Sequence, residues 1–392
     1  MRILFLNQYF PPDPAPTGIL LRELSDALSA EGHVVDFVAA RQSYRTGQQR
    51  GHRLWREFKA LVAMLVDGIL RPRVDLVISA SSPPCLVAVA VLVAIRHRAR
   101  SIHWVMDLYP EIAVALGEVR PGLPVRIIQC VMGWSYRYCD AVVALDEDMA
   151  EKLRRYRIRA EIIRPWVFES LVEFALQSKE HRSSANSLSN GHSARSAFLE
   201  ETRALDNWTW IYSGNLGRAH EWETLLSVQS LLEESEPRMT LLFQGGGPSW
   251  PAARARAQEL GLKRCEWKPY VSENELAASL LRCHCCVITQ LPATQGLLWP
   301  SKLGFALTLP RPLLWIGPPD GAIARQLRKI AHAGVFAPGQ VREIANWLRV
   351  MRTNEGMITN AHRDDARTHR LASLEAWRKL IRALEMPLHG EN

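Results

Sequence analysis

Short apolar runs of strand length alternate with helix-length segments along this chain, and the alternation happens twice. In the first half the strand-like runs are Ile3–Asn7, Val34–Ala39, Asp75–Ser79, Ser101–Met106 and Ala141–Leu145, with helical patterns such as Thr17–Glu31, Pro84–His97 and Val125–Tyr138 between them. In the second half Trp208–Ser213, Thr240–Gln244, Cys285–Thr289 and Leu313–Gly317 read as strands, separated by Glu221–Glu234, Glu273–Leu281 and Ala322–Ala331. Strands that are apolar on both faces and alternate with helices specify parallel sheets covered on both sides. The chain therefore predicts an α/β protein of two doubly wound, Rossmann-like domains. Ligands of such sheets bind beyond the carboxyl ends of the strands, so two of them facing each other imply an interdomain cleft.

A polar joint separates the halves. Residues 178–196 hold seven serines and only three apolar residues, Ala185, Leu188 and Ala194, too little to bury, and read as a linker or surface insertion. The predicted division is 1–165 for the first domain, 166–207 for the linker, 208–365 for the second domain and 366–392 for a final helix. That helix carries Leu371, Leu374, Trp377, Ile381 and Leu384 at helical spacing. At 392 residues, 47% hydrophobic and 22% charged, the composition excludes wholesale disorder and collagen-like or disulfide-scaffold classes. Seven cysteines spread over this length suit a reducing cytoplasm better than a disulfide framework. The N-terminal apolar run reads as a first strand, being too short for a signal peptide. The longest apolar stretch, Cys85 to Ile95, falls well short of the roughly 20 residues a bilayer span needs, so no transmembrane helix is predicted.

The loops that follow the strands carry the chemistry. The first strand runs into Gln8-Tyr9-Phe10-Pro11-Pro12-Asp13-Pro14-Ala15-Pro16-Thr17-Gly18 and then a helix, a stiff entry that suits an anion at the helix N-terminus or else a rigid turn with Thr17 as the cap. The second half opens similarly with Ser213-Gly214-Asn215-Leu216-Gly217-Arg218-Ala219-His220. Gly214 and Gly217 let backbone approach a pyrophosphate, and Arg218 supplies a permanently charged donor fork. Gly245-Gly246-Gly247 repeats the glycine signal after the next strand. Asp107 closes a buried strand in Trp104-Val105-Met106-Asp107-Leu108-Tyr109-Pro110-Glu111. It serves either an acceptor hydroxyl or the local loop. Lys302, in Pro300-Ser301-Lys302-Leu303, stands near a helix start against the dipole preference, as a cation with an anion to meet would.

Two other patterns have structural readings. Asp146-Glu147-Asp148 lies between a strand and a helix, where acids cap and complement the dipole. Cys283-His284-Cys285-Cys286 lacks paired zinc-site spacing and reads as buried thiols at a strand start. A net charge of +8 and a pI near 9.3 permit anionic partners. Arg41 to Arg73 holds eight Arg/Lys against Glu57 and Asp67, around a helical stripe of Leu54, Phe58, Leu61, Leu65 and Ile69. That combination predicts contact with an anionic membrane surface. No motif of interleaved aromatic and basic residues appears, so no nucleic acid partner is predicted.

Taken together, Gln8–Gly18, Ser81-Ser82-Pro83-Pro84, Trp104–Glu111, Tyr212–His220, Gly296–Leu303 and Ile316-Gly317-Pro318-Pro319-Asp320-Gly321 resemble the family 4 glycosyltransferases of the GT-B fold, especially the branch that builds bacterial surface polysaccharides. The resemblance covers nearly the whole chain and implies retaining transfer of a hexosyl group from a nucleotide diphosphate sugar to a lipid-linked or polysaccharide acceptor. It implies no cofactor and no metal, a cytoplasmic location with peripheral contact at the inner face of the membrane, and a final helix that returns to the first domain. Carried over by position, Asp107, Arg218 and Lys302 are the catalytic set. Gly18, Gly214, Asn215, Gly217, Val271, Gln295 and Ser301 are the donor-binding set, with Tyr270-Val271 at the nucleotide base. Fixed cations neutralise a departing diphosphate in place of a divalent ion. The sequence departs from the family pattern at Gln295 and Phe305, where glutamates are usual (or, at Phe305, glycine in some branches), and in the turn Leu309-Pro310-Arg311-Pro312. Those departures support an alternative: a catalytically weakened relative that binds a nucleotide sugar or a partner transferase in an assembly role. A nucleotide-sugar epimerase on the same fold is a third reading, disfavoured by the Pro-Ser-Lys and Gly-Asn-x-Gly-Arg segments.

Overall fold

The computed structural model describes residues 1–13, 15–40, 53–170, 207–353 and 362–385. The serine-rich stretch 178–196 and the basic residues from Arg41 to His52 lie outside them. The chain divides into two compact units: Met1–Trp166 with Thr294–Trp299 and His369–Asn392, and Val167–Ala293 with Pro300–Thr368.

The first unit contains a six-stranded parallel sheet in the order β2-β1-β3-β4-β5-β6. Its strands are β1 (Arg2–Asn7), β2 (Val34–Ala39), β3 (Leu76–Ser79), β4 (Arg100–Trp104), β5 (Ala141–Ala144) and β6 (Glu161–Ile162). The central strands are buried along their length, as their apolar runs require, and β1 is exposed only at Arg2. Helices 53–70, 86–97 and 123–138 connect strands that advance in one direction across the sheet. Right-handed crossovers put such helices on one face. Helix 16–30 runs back from β1 to β2 and so lies on the other. Inward residues Met64, Leu86, Val89 and Val93 meet Leu4, Leu6 and Val77 in one core.

The last helix, His362–Glu385, packs on this unit. Trp377 is fully buried and sits edge-on to Trp104 with centroids 4.9 Å apart, and Trp104 stacks on Trp166. Leu374 and Ile381 share the buried side, whereas Leu371, expected on the same face, is half exposed. Glu23 accepts from Trp166 Nε1 at 2.7 Å and pairs with Arg370, and Glu31 pairs with Arg378.

The second unit repeats the plan with the order β12-β11-β10-β7-β8-β9, again all parallel. The strands are β7 (Trp208–Asn215), β8 (Met239–Gly246), β9 (Cys265–Lys268), β10 (Cys285–Thr289), β11 (Leu313–Ile316) and β12 (Ala333–Phe336). Trp210, Tyr212, Phe243 and Leu241 build its core with Leu225, Leu232, Ile344 and Leu348 of the covering helices. The strands that the pattern does not announce are β6, β9 and β12, all at sheet edges. β9 alternates half-buried with exposed residues, because an edge strand has less to cover it. Among the described residues, no helix is long and apolar enough to cross a membrane.

Candidate functional site

In the second unit the chain leaves β7 for β8 on one side, and β10 pairs with β7 on the other. This is the topological switch point of the sheet, where loops diverge and leave room for a ligand. Gly214, Asn215 and Lys302 meet there directly. Lys302 Nζ donates to the Asn215 carbonyl at 2.9 Å and to the Tyr212 hydroxyl, and it lies 4.0 Å from the centre of the Tyr212 ring. Tyr212 Oη in turn donates to the Asn215 carbonyl at 3.0 Å. Burial pushes the Lys302 ammonium well below its ordinary value. His220 is pushed down to about 3, first by burial and then by the charge of Lys302. Its Nδ1–H donates to the Thr289 carbonyl at 2.8 Å, which leaves Nε2 as an unprotonated acceptor.

The glycines explain how the lysine fits. Gly214 has φ +114, and a Cβ there would stand 2.8 Å from Lys302 Cε. Gly245, its register partner on β8, has φ +141, and its Cβ would lie 2.2 Å from the Gly214 carbonyl oxygen. These two glycines therefore let two strand ends and a lysine pack together. Gly217 is different, with no atom nearer than 3.6 Å to its Cβ position. Arg218 follows it on the exposed loop. Asn215 Oδ1 is a buried acceptor with no hydrogen-bond partner among the described residues. Ser301 is exposed just before Lys302, and Val271 is half-buried in the loop after β9, next to exposed Tyr270.

The helix that follows this loop, Glu223–Ser235, does not offer an open N-terminus. Glu221 is buried and its Oε1 accepts from Thr224 N at 2.7 Å, so the chain's own carboxylate fills that position. Helix 16–30 of the first unit contrasts with it. Its cap position is Ala15, with no side-chain cap and no acid in the first turn, and Thr17 lies inside the helix. Gly18 is buried in that first turn, where a Cβ would come within 3.0 Å of the Tyr9 carbonyl oxygen.

Asp107 leaves the carboxyl end of β4 on a braced loop. Ser81 Oγ accepts from Met106 N at 2.9 Å, and Ser82 Oγ donates to Gln8 Oε1 at 3.2 Å, so the Ser81-Ser82 pair ties the exits of β1, β3 and β4 together. On the far side Asp107 forms an antiparallel bridge with Leu298, and Leu108 N donates to the Leu297 carbonyl at 2.8 Å. Among the described residues the Asp107 carboxyl has no side-chain hydrogen bond, and burial pushes it up to about 6.

Gln295 belongs to this first-unit brace. Its Nε2 donates to Asp148 Oδ2 at 2.8 Å, and Gly296, with φ +68, presses against the Asp148 carbonyl. A glutamate at 295 would face the Asp148 carboxylate, which gives glutamine at this position a physical reason. Asp146 accepts from Met149 N at 2.7 Å as the cap of helix 147–153. Phe305 is buried in the short helix 302–306. Cys283, Cys285 and Cys286 are buried thiols, with Cys286 pushed up to about 12 by burial, and His284 Nδ1 accepts from Thr209 N. Among the described residues, no three His, Cys, Asp or Glu converge as metal ligands would.

Sequence reasoning missed Tyr212, His220, Glu221 and Asp148. An aromatic and a histidine flanking a Gly-rich turn were visible, but their convergence on Lys302 depends on β7 and β10 being neighbours.

Residues 17–167 match the model of Glycosyltransferase Family 4. No curated protein sequence matches the chain. Solved structures share the fold over nearly the full length of both chains. Anabaena HepE in complex with UDP is 12% identical, with a TM-score of 0.66 over 98% of this chain and 100% of that one. Sucrose-phosphate synthase from Thermosynechococcus elongatus is 15% identical, with a TM-score of 0.67 over 98% and 99%. WaaG, a glycosyltransferase involved in lipopolysaccharide biosynthesis, is 14% identical, with a TM-score of 0.60 over 100% of both.

Proposed function

We propose that this chain, which belongs with the GT-B-fold glycosyltransferases of family 4, moves a hexosyl group from a nucleotide diphosphate sugar to a lipid-linked or polysaccharide acceptor, with retention at the anomeric carbon. The observation that carries the reading is the setting of Lys302. Its ammonium has three N–H donors; two are committed to Asn215 and Tyr212, and the third is left for a phosphate oxygen. An arriving diphosphate also favours the ammonium form that burial disfavours. Arg218 adds a charged fork from the open Gly217 turn, and together the two cations stabilise the departing nucleoside diphosphate. Gly217, Asn215, Ser301 and Val271 complete the donor side, with Val271 at the base.

Asp107 takes the acceptor side. A carboxyl poised near 6 accepts a hydroxyl proton readily at neutral pH, because its conjugate acid is close to the working range. Gln295 acts on this side by holding the loop through Asp148. The acceptor is lipid-linked or a growing glycan, reached at the inner face of the membrane, with the basic helix 53–70 in contact with the lipid surface. HepE is described in complexes with UDP and with UDP-glucose, so uridine diphosphate sugars are the first donors to offer.

The test is release of nucleoside diphosphate from labelled UDP-, GDP- and ADP-sugars in the presence of a lipid-linked acceptor panel. The reading requires turnover by the native chain, and a loss of at least about 100-fold in Arg218→Ala and Lys302→Ala, each with its folding intact. A second reading, a weakened relative in an assembly role, is favoured by buried Phe305, which puts no carboxylate where the family usually carries one. Binding of a nucleotide sugar with no release against any acceptor would select that reading.

A further inference from the structure

Among the described residues, thirteen of the nineteen large hydrophobic side chains that stand exposed lie on three helices of the first unit: 53–70, 86–97 and 123–138. The second unit contributes only Tyr270 and Val350 to that set. The three helices cover one face of the first sheet and lie side by side. Helix 53–70 is locked to helix 86–97 where Gly68 makes room for Val93 and its carbonyl accepts from buried His97, and helix 86–97 packs on helix 123–138. Their inward sides are already satisfied by the core. Their outward sides carry apolar ridges at helical spacing: Trp55, Phe58, Val62, Val66 and Leu70 on the first, Leu92 and Ile95 on the second, and Leu123, Ile127, Val131, Trp134 and Tyr138 on the third. A contiguous apolar layer of this extent has a partner.

We propose that this whole layer is a docking face for an anionic lipid bilayer. The reaction reading assigns lipid contact to helix 53–70 alone; the structure extends it to helices 86–97 and 123–138, which have no basic run of their own. Charge selects the occupant. Helices 86–97 and 123–138 carry Arg96, Arg126 and Arg137 and no carboxylate at all. Helix 53–70 carries two carboxylates: Glu57 is half-buried and Asp67 is neutralised by Arg71 at 3.2 Å, while exposed Lys59 lies 5.3 Å from the ring centre of Trp55, which stacks with Phe58. Arginines at the margin of an apolar face meet anionic headgroups, while Trp and Tyr settle at the boundary with the acyl chains. The helices then lie in the plane of the interface, which needs no spanning segment.

Cosedimentation of the full chain with vesicles decides it, and uses no donor or acceptor, so the outcome is independent of whether transfer is detected. Phosphatidylcholine vesicles with about 30% phosphatidylglycerol should take up the native protein far better than pure phosphatidylcholine, and salt should weaken the uptake. Ile127→Gln with Trp134→Gln, both exposed and remote in sequence from the basic helix, should lower partitioning at least about tenfold with an unchanged thermal midpoint. Arg126→Glu should reduce the preference for the anionic vesicles. Equal partitioning of the double variant and the native chain would overturn the proposal. So would a native protein that binds neither vesicle, or one that forms a dimer in solution which the double substitution dissociates.

Discussion

The two units open with the same sequence of parts, a buried strand, a loop and a helix, yet they treat the helix N-terminus in opposite ways. In the second unit Glu221 caps the helix from inside the protein. In the first, helix 16–30 begins at Pro16 with no acid in its first turn. The helix dipole of the second unit is thus already used, and the proposed reading therefore assigns a diphosphate there to side-chain cations and the open loop at Gly217. The glycines that look like phosphate binders divide in the same way. Gly214 and Gly245 give their space to Lys302 and to each other, and only Gly217 leaves space free.

That contrast is broken most severely at Gly245. A Cβ 2.2 Å from a backbone oxygen cannot be relieved by a rotamer change, so Gly245→Ala should cost about 3 kcal/mol or more of stability in denaturant unfolding. Gly217→Ala should cost under about 1 kcal/mol in the same experiment, since its surroundings are open. Equal effects at both positions would remove the distinction between packing and loop glycines.

A second contrast sets Lys302 against Asp107, each desolvated and, among the described residues, without a paired opposite charge. The Asp107 carboxyl binds its proton more tightly in the folded protein, up to about 6 from an ordinary value of 3.8. Stability from this group is therefore full at low pH and falls as pH rises through that window. Asp107→Asn should abolish transfer while leaving the protein at least as stable as the native chain at pH 8, and the native rate should rise with pH through about 6. A variant that loses stability at pH 8 along with activity would mark Asp107 as a loop-holding residue.

The smallest effect is expected at Glu221. Glu221→Ala should cost about 1 kcal/mol, the usual worth of a helix cap, in the thermal midpoint. Affinity for a nucleoside diphosphate should stay within about twofold, because the dipole is not the element that holds it. A large gain or loss of affinity would return the helix N-terminus to the site.

The sequence was most legible where an apolar run is nearly unbroken. Fully buried β10 and the partly exposed edge strand β2 both have the bounds their apolar runs mark, and the central strands differ by a residue or two. Edge strands β6, β9 and β12 were not legible, because they are short and their partly exposed residues do not form such a run. Lys302, Asn215 and Gly214 could be nominated from local pattern, and the structure brings them into contact. Tyr212 and His220 could not, since nothing local says that the exits of β7 and β10 meet. Gln295 was readable as a departure, but its cause, the carboxylate of Asp148, lies far away in the sequence.

The central claim is that fixed cations of the second unit hold a nucleoside diphosphate. Titration calorimetry of uridine, UMP and UDP, and of the guanosine and adenosine series, into the native chain and Lys302→Met tests it most directly. The account predicts a clear step in affinity from mono- to diphosphate for one base in the native protein, and loss of that step in the variant with its thermal midpoint maintained. The same affinity for mono- and diphosphate in the native chain, or an unchanged step in Lys302→Met, would contradict it.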